Sequence, residues 1–119
     1  MDTVFVRGLT VEAILGIHPW ERENPQPVRI SFAMTADVRH AAREDRIDDA
    51  LDYAAASARV AALTREGKFQ LVETLAEHIA QLLLQEFSVL RVRVEVEKPA
   101  AIAEADSVGV SIERRRSAA

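Results

Sequence analysis

The sequence predicts an α+β protein with the element order β-β-α-α-β-β, in which two helices cover one face of a four-stranded antiparallel sheet. Three observations lead to this prediction. Apolar and polar residues alternate from Val28 to Val38 and again from Leu90 to Lys98, as in strands with one buried face. Between these segments, apolar residues recur with helical spacing in two stretches. Residues that favour strands lie near both ends of the chain and supply the two remaining strands.

The first strand is predicted from the β-branched and aromatic residues at 3–7 and 10–15. The block from Gly16 to Pro27 follows, and its three prolines predict an irregular loop without helix or strand. In the second strand, Val28 and every second residue after it are apolar as far as Val38. We expect these two strands to pair as a hairpin across the long loop.

Two helices are predicted in the middle of the chain, after a polar stretch at 39–50 that predicts a loop or a short helical turn. The first helix runs from Asp52 to Glu66, and Gly67 ends it. The second runs from about Leu71 to Phe87, where leucine, valine and isoleucine form an apolar stripe.

Two strands follow the helices. In the first, the valines from Val92 to Val96 face inward and Pro99 ends the alternation. Residues 108–112 predict the last strand. We expect the basic segment Arg114–Arg116 after it to be frayed.

Composition is that of a single-domain globular protein. The chain has 119 residues, which we interpret as one domain over residues 1–116 and a short tail over 117–119. A net charge of −4 without an extended basic run disfavours nucleic-acid binding. No apolar stretch approaches the length of a membrane span, and the first residues lack the regions of a signal peptide. Together these features predict a cytoplasmic protein without a membrane partner.

The sequence lacks the usual signatures of metal and cofactor sites. It contains no cysteine, which excludes disulfides, thiolate zinc sites and a cysteine nucleophile. The three histidines, His18, His40 and His78, have no metal-ligand spacing, and the four glycines form neither a P-loop nor a dinucleotide fingerprint. We therefore expect no metal and no cofactor, so catalysis would depend on acids, bases and hydrogen bonds.

The predicted sheet leaves part of its surface uncovered. Two helices can cover only one face, and the two outer strands have free edges. This arrangement predicts assembly into a homo-oligomer, in which a subunit interface is a natural place for a binding cleft.

Four motifs, in order and at characteristic separations, carry a resemblance to a known family. They are Gly16-Ile17-His18-Pro19-Trp20-Glu21-Arg22, Leu51-Asp52-Tyr53-Ala54, Phe69-Gln70-Leu71-Val72-Glu73-Thr74-Leu75-Ala76 and Val96-Glu97-Lys98-Pro99. Over Val4–Arg114 the chain resembles the dihydroneopterin aldolases of folate biosynthesis. The resemblance implies the tunnelling (T-) fold, in which four subunits join their sheets into a barrel and two such rings stack as an octamer.

The resemblance also implies a reaction and a substrate. The family cleaves 7,8-dihydroneopterin, a small-molecule pterin, to 6-hydroxymethyl-7,8-dihydropterin and glycolaldehyde by a retro-aldol reaction. The dihydropterin ring already carries a C=N bond conjugated to the reacting carbon. Because this bond can accept the electron pair of the broken C–C bond, the reaction requires neither a metal nor a lysine Schiff base.

Substrate-binding residues follow from the same resemblance. Glu73 matches the family's pterin anchor, since a carboxylate can accept two hydrogen bonds from the amino group and adjacent N–H of the ring. Its predicted place in the first turn of a helix also favours an anion. The backbone near Leu71 and Val72 is expected to meet the ring. Without the other motifs, Glu73 would be an ordinary glutamate at a helix start.

Three residues match the family's catalytic groups. Lys98 and Glu21 correspond to the acid–base pair beside the substrate side chain, and Tyr53 corresponds to the proton donor that the adjacent subunit supplies. Both Glu21 and Tyr53 would therefore also bind substrate. Taken singly, a lysine at a strand end and a glutamate in a turn are usually solvated, and a tyrosine at a helix start is usually a packing residue.

The chain also departs from the family, and alternatives stay open. His18 stands where several relatives carry tyrosine, and the loop before Glu21 is shorter than in some members. One alternative is dihydroneopterin triphosphate 2′-epimerase, whose relatives tend to have arginine where Ala54 stands here; epimerisation could also be a side reaction. Others are a non-catalytic oligomer that binds pterins or purines, and a purely structural oligomer.

Overall fold

The fold is built on a four-stranded antiparallel sheet with the spatial order β1-β2-β3-β4. The computed structural model describes residues 1–117, and its strands are β1 (Asp2–Ala13), β2 (Gln26–Ala36), β3 (Arg91–Lys98) and β4 (Val108–Arg115). Its helices are α1 (Pro19–Glu23), α2 (Arg39–Glu44), α3 (Tyr53–Gly67) and α4 (Val72–Glu86), with a 3-10 turn at Ile47–Asp49. The predicted order β-β-α-α-β-β is confirmed, with α1 and α2 as short additions.

Alternation along the strands separates a buried face of the sheet from an open one. The inward residues of the two central strands are nearly inaccessible to solvent, namely Val28, Ile30, Phe32, Met34, Val92, Val94 and Val96. The residues between them are polar or charged at most positions, as the alternation predicts. Within residues 1–117, β1 and β4 each pair with one strand only, so they form the edges of the sheet.

β1 is one continuous strand that contains a bulge. Its register against β2 shifts between Val6 and Leu9. Gly8 lies at this shift with φ 76°, and its amide donates a hydrogen bond to Ser31 Oγ at 3.0 Å. The predicted segments 3–7 and 10–15 are therefore joined through the bulge, although the strand ends at Ala13.

Helices α3 and α4 cover the buried face of the sheet, as predicted. α3 packs against β1, and α4 packs against β3 and β4. α4 contributes large core side chains, among them Leu75, Ile79 and Leu83, each at most 1% exposed. Within residues 1–117, no helix is both long enough and apolar enough to span a membrane.

The two ends of α3 have different caps. Asp52 accepts a hydrogen bond from the amide of Ala55 at 3.0 Å, which satisfies a free donor in the first turn. At the other end, Gly67 belongs to the helix, and Lys68 takes the left-handed conformation with φ 49°. α3 therefore ends at Gly67, one residue beyond the predicted Glu66, and the left-handed residue that follows it is Lys68.

The prediction of an irregular loop over Gly16–Pro27 is wrong at α1, a five-residue helix that begins at Pro19. Proline fits this position because the amide it lacks would have no partner in a first turn. The amide of His18 donates to the Glu21 carboxylate at 3.2 Å and so closes the turn. Pro27 lies within β2, which begins at Gln26. Pairing of β2 with β3 begins two residues later, at Arg29.

The basic segment Arg114–Arg116 is ordered, in contrast to the predicted fraying. Arg114 Nε lies 3.0 Å from Glu77 Oε1 of α4, and the amide of Arg116 donates to the carbonyl of Leu90 at 2.8 Å. These contacts attach the end of β4 to the rest of the domain. Of the predicted tail at 117–119, residues 118 and 119 lie outside the described part of the chain.

Candidate active site

A hollow of about 380 Å³ lies beside the first turn of α4 and contains five of the six predicted site residues. Three segments form its walls: residues 16–21, residues 70–73, and the end of β3 together with the start of β4. The predicted residues that line it are Glu21, Leu71, Val72, Glu73 and Lys98. His18 also lines it.

Glu21 and Lys98 form a nearly buried ion pair at this hollow. Lys98 Nζ lies 2.5 Å from Glu21 Oε2, and the two side chains are 13% and 6% exposed. The pair joins residues 77 positions apart, because α1 and the end of β3 meet at the same end of the sheet. A hydrogen bond between charged groups is stronger than one between neutral groups, so the pair fixes the position of both side chains.

The environment of Glu21 favours its ionised form. Burial raises the pKa of the Glu21 carboxyl, but hydrogen bonds from Lys98 and the His18 amide, together with the charge of Lys98, outweigh that effect. The pKa of Glu21 therefore lies below its ordinary value. The result is a carboxylate that stays charged although it is buried.

Gly16 makes room for the Glu21 carboxylate. Its φ of 145° is one that residues with a side chain rarely adopt. A Cβ at this position would lie 2.3 Å from the carboxyl carbon of Glu21. Glycine is thus required for the backbone conformation and also for the close approach.

Glu73 lies across the hollow, in the first turn of α4 as predicted. Leu71 precedes the helix in extended conformation, with φ −118° and ψ 141°, and Val72 is its first residue. Glu73 is exposed and forms no ion pair with the described residues. The helix start places the carboxylate where backbone N–H groups favour negative charge, and leaves it available to a ligand.

Tyr53 lies far from these residues within one chain. It begins α3 and lines a separate hollow with Val4 of β1 and Ala36 of β2, which lie near the end of the β1–β2 hairpin that is far from its connecting loop. The opposite end of α3, near Lys68, is the one that adjoins the hollow around Glu21. Because α3 has 15 residues, its two ends are about 22 Å apart. Tyr53 is 60% exposed.

Gln26 is a buried polar residue beside the site that the sequence analysis missed. It is 8% exposed and lies beside the Glu21 carboxyl, whose pKa it helps to lower. Its amide nitrogen is close enough to that carboxyl to affect it, but within residues 1–117 it meets no acceptor at full hydrogen-bond geometry. A signal was present in the alternation, since Gln26 is in phase with the buried residues that begin at Val28.

Comparisons with known proteins agree on one family. A sequence model of the FolB dihydroneopterin aldolase family matches residues 4–113. The dihydroneopterin aldolase of Escherichia coli K12 is 40% identical over 114 residues, which are 96% of this chain and 93% of that protein. These matches extend over every segment that forms the hollow.

Solved structures are similar over nearly the whole chain. The E. coli dihydroneopterin aldolase in complex with neopterin superposes with a TM-score of 0.93 at 39% identity, over 96% of this chain and 99% of that one. A Burkholderia dihydroneopterin aldolase bound to guanine superposes with a TM-score of 0.82 at 29% identity, over 98% and 92%. Both ligands carry an aminopyrimidinone ring, so they present the same polar edge to a protein.

Proposed function

The chain belongs to the dihydroneopterin aldolase family, a family of aldehyde-lyases, and we propose how its residues perform the family's retro-aldol reaction. The observation that carries the proposal is the arrangement of three charged side chains around one hollow. The Glu21–Lys98 pair lies on one side and the unpaired carboxylate of Glu73 lies on the other. This arrangement offers an anchor for a ring and an acid–base pair for its side chain.

Glu73 anchors the pterin ring. Its carboxylate accepts hydrogen bonds from the 2-amino group and the adjacent N–H, and the helix start supports its negative charge. The extended backbone at Leu71 and the first amides of α4 lie beside the same edge. That relatives are solved with neopterin and with guanine supports this assignment, because both ligands share this edge.

Cleavage then requires a defined path for two protons and one electron pair. The side-chain hydroxyl loses its proton, its oxygen becomes the carbonyl oxygen of glycolaldehyde, and the adjacent C–C bond breaks. The electron pair of that bond moves into the C=N bond of the ring and gives an enol-like intermediate. Protonation of the side-chain carbon restores the C=N bond and yields the hydroxymethyl product.

Lys98 and Glu21 conduct the first proton transfer. The neutral amine of Lys98, formed when its ammonium releases one proton to solvent, accepts the hydroxyl proton through a water molecule and becomes the ammonium that Glu21 holds at the hollow. Glu21 also has lone pairs to accept hydrogen bonds from the substrate side chain. The near burial of the pair strengthens these interactions relative to the same groups in water.

Tyr53 donates the second proton from another copy of the chain. Within one chain it lies at the opposite end of α3 from the Glu21–Lys98 pair, so a complete site needs a neighbour. Three exposed apolar side chains near the hollow, Ile17, Trp20 and Leu71, support contact with such a neighbour. The free edges of β1 and β4 support joining of sheets, and the octamer of two stacked rings is the assembly we propose.

The test is the product formed from 7,8-dihydroneopterin. We expect release of glycolaldehyde and the hydroxymethyl pterin in equal amounts. Formation of epimer from the triphosphate without any glycolaldehyde would instead favour the epimerase alternative.

A second measurement tests the anchor. We expect Glu73→Gln to weaken neopterin binding by about 100-fold, since a charged acceptor of two hydrogen bonds is lost. Glu77→Gln is the matched control, because Glu77 lies one turn further along α4 and pairs with Arg114. Equal binding by both variants would show that Glu73 is not the anchor.

A further inference from the structure

The guanidinium of Arg22 connects two walls of the active-site hollow. Its Nη1 donates to the carbonyl oxygens of Gly16 at 3.1 Å and Phe69 at 3.0 Å, and its Nη2 donates to that of Lys68 at 2.7 Å. Arg22 directly follows Glu21 on α1, but its side chain contacts the link between α3 and α4, not Lys98. The half-buried side chain of Arg22 thus contacts Lys68 and Phe69, which lie 46 and 47 residues further along the chain.

The two segments that Arg22 connects carry different groups of the proposed active site. Gly16 begins the wall that holds Glu21, and Phe69 immediately precedes the wall that ends at Glu73. A backbone hydrogen bond also joins these segments, from the amide of Gly16 to the carbonyl of Phe69 at 3.3 Å, and it is the one other hydrogen bond between them within residues 1–117. Arg22 therefore supplies most of the polar contacts that fix the spacing between the walls.

We propose that Arg22 is a positioning residue that sets the distance between the Glu21–Lys98 pair and the pterin anchor Glu73. The inference rests on the proposed function of these three residues. A dihydropterin ring is rigid, so a substrate can engage the anchor and the acid–base pair together only at one spacing. Small displacements of reacting groups reduce enzyme rates strongly.

Arginine is suited to this role for a geometric reason. Its planar fork directs several N–H groups at fixed angles, whereas the lysine ammonium is a compact charge on a flexible stem. A lysine at this position could approach one wall but could not hold three carbonyl oxygens on two segments. Charge alone would therefore not replace Arg22.

The experiment compares Arg22→Gln and Arg22→Lys with the wild-type chain. We expect both variants to lower kcat/KM for 7,8-dihydroneopterin by about 10- to 100-fold. Full activity of Arg22→Lys would show that charge near the site is what matters, and would overturn the bridge. Arg22→Lys also keeps the test valid if Arg22→Gln fails to fold.

Two ligands separate positioning from a general loss of stability. Guanine engages only the anchor wall, whereas neopterin, with its side chain, spans both walls. We expect the Arg22 variants to bind neopterin about tenfold more weakly and to bind guanine with nearly unchanged affinity. An equal change for both ligands, or for neither, would contradict the inference.

Arg59→Gln is the matched control. Arg59 also bridges two elements, with two hydrogen bonds to Glu86 at 2.9 and 3.0 Å. Glu86 is 13 residues from Glu73 along α4, so this bridge lies about 20 Å from the anchor. We expect Arg59→Gln to leave both ligand affinities and kcat/KM unchanged.

Two different results would contradict the two proposals. If the wild-type chain releases no glycolaldehyde, the proposed function is wrong. If the wild-type chain is active and the Arg22 variants are equally active, only the positioning role of Arg22 is wrong.

Discussion

At the scale of residues, the candidate active site contains a buried charge that is paired. Burying a carboxylate is costly unless other groups compensate its charge, and here Lys98 and the amide of His18 both do so. Gly16 contributes by leaving space that any other residue would fill. The pair is therefore sensitive to changes that alter no charge.

We expect Gly16→Ala to disrupt the Glu21–Lys98 pair. The new Cβ would overlap the Glu21 carboxylate and would occupy a strained backbone conformation, with a loss of stability of about 1–3 kcal/mol. Turnover should fall below detection in a glycolaldehyde assay, because the carboxylate must move away from Lys98.

Gly8→Ala is a control that introduces backbone strain without steric overlap. Gly8 also has a positive φ, but a Cβ at this position would lie 4.0 Å from its nearest neighbour, Arg29 Cδ. This variant should lose stability on urea unfolding and keep its turnover. If Gly16→Ala keeps turnover as well, the close approach to Glu21 has no role in catalysis.

At the scale of elements, the sequence predicts what depends on local periodicity. The alternation after Val28 and the apolar stripe of α4 identified the sheet and its covering helices, because burial of one face imposes those periods. α1 could not be identified in this way, since five residues are too few to show a period. Its formation depends on Pro19 at the first position and on a hydrogen bond to the Glu21 side chain.

The start of α3 offers a test of element stability. We expect Asp52→Ala to destabilise the chain by about 1 kcal/mol, because the amide of Ala55 loses its acceptor. Asp52→Asn should retain most of the stability, since its side-chain oxygen can still accept. Urea unfolding monitored by circular dichroism measures both, and equal stability of Asp52→Ala and wild type would contradict the cap.

At the scale of the whole molecule, the chain is more extended than its length requires. Its principal extents are 50, 31 and 25 Å, and its radius of gyration is 15.3 Å. A compact domain of this length would have a radius of gyration of about 13.5 Å. The long β1–β2 hairpin accounts for this shape and places Tyr53 and the Glu21–Lys98 pair near opposite ends.

The candidate site could be predicted only in part from sequence patterns. Neither composition nor periodicity could bring Glu21 next to Lys98, because that contact depends on how distant strands align; only the resemblance to a family suggested it. The contacts of Arg22 escaped prediction for the same reason, since they depend on where the carbonyls of Lys68 and Phe69 lie. Gln26 could have been found from its phase in β2.

Shared sites predict complementation between inactive variants. Lys98→Ala and Tyr53→Phe should each bind neopterin but lose turnover. If they are unfolded together, mixed equally and refolded, about a quarter of the sites should combine a native lysine with a native tyrosine from a neighbour. Glycolaldehyde release should recover to a corresponding fraction of wild type.

The control for complementation mixes Lys98→Ala with Glu21→Gln. In every site, Lys98 and Glu21 come from the same chain. No site in this mixture can therefore contain both native residues. We expect no recovery in this mixture. Recovery in the control, or none with Tyr53→Phe, would contradict the shared site.

Stability should depend on pH through paired carboxyl groups. In the described part of the chain, folding lowers the pKa of five carboxyl groups. The pKa of Asp37 falls to about 2 because of the hydrogen bonds from Arg39, and the other four groups are Glu21, Glu77, Glu86 and Glu97. A carboxyl group with a lower pKa in the folded chain stabilises the fold above its unfolded pKa, and this contribution is lost as pH falls through the folded pKa. The urea midpoint should therefore decline from about pH 5 towards pH 2. Asp37→Asn should reduce the decline of the urea midpoint at the lowest pH values. A midpoint that rises on acidification would contradict the predicted direction of the pH dependence.

With Tyr53 as the proposed proton donor, its placement at the far end of α3 would make catalysis depend on assembly. A chain without neighbours would keep Glu21, Lys98 and Glu73 in its own hollow but would have no proton donor for the intermediate. Such a chain would hold substrate without converting it. Activity per molecule would then fall on dilution.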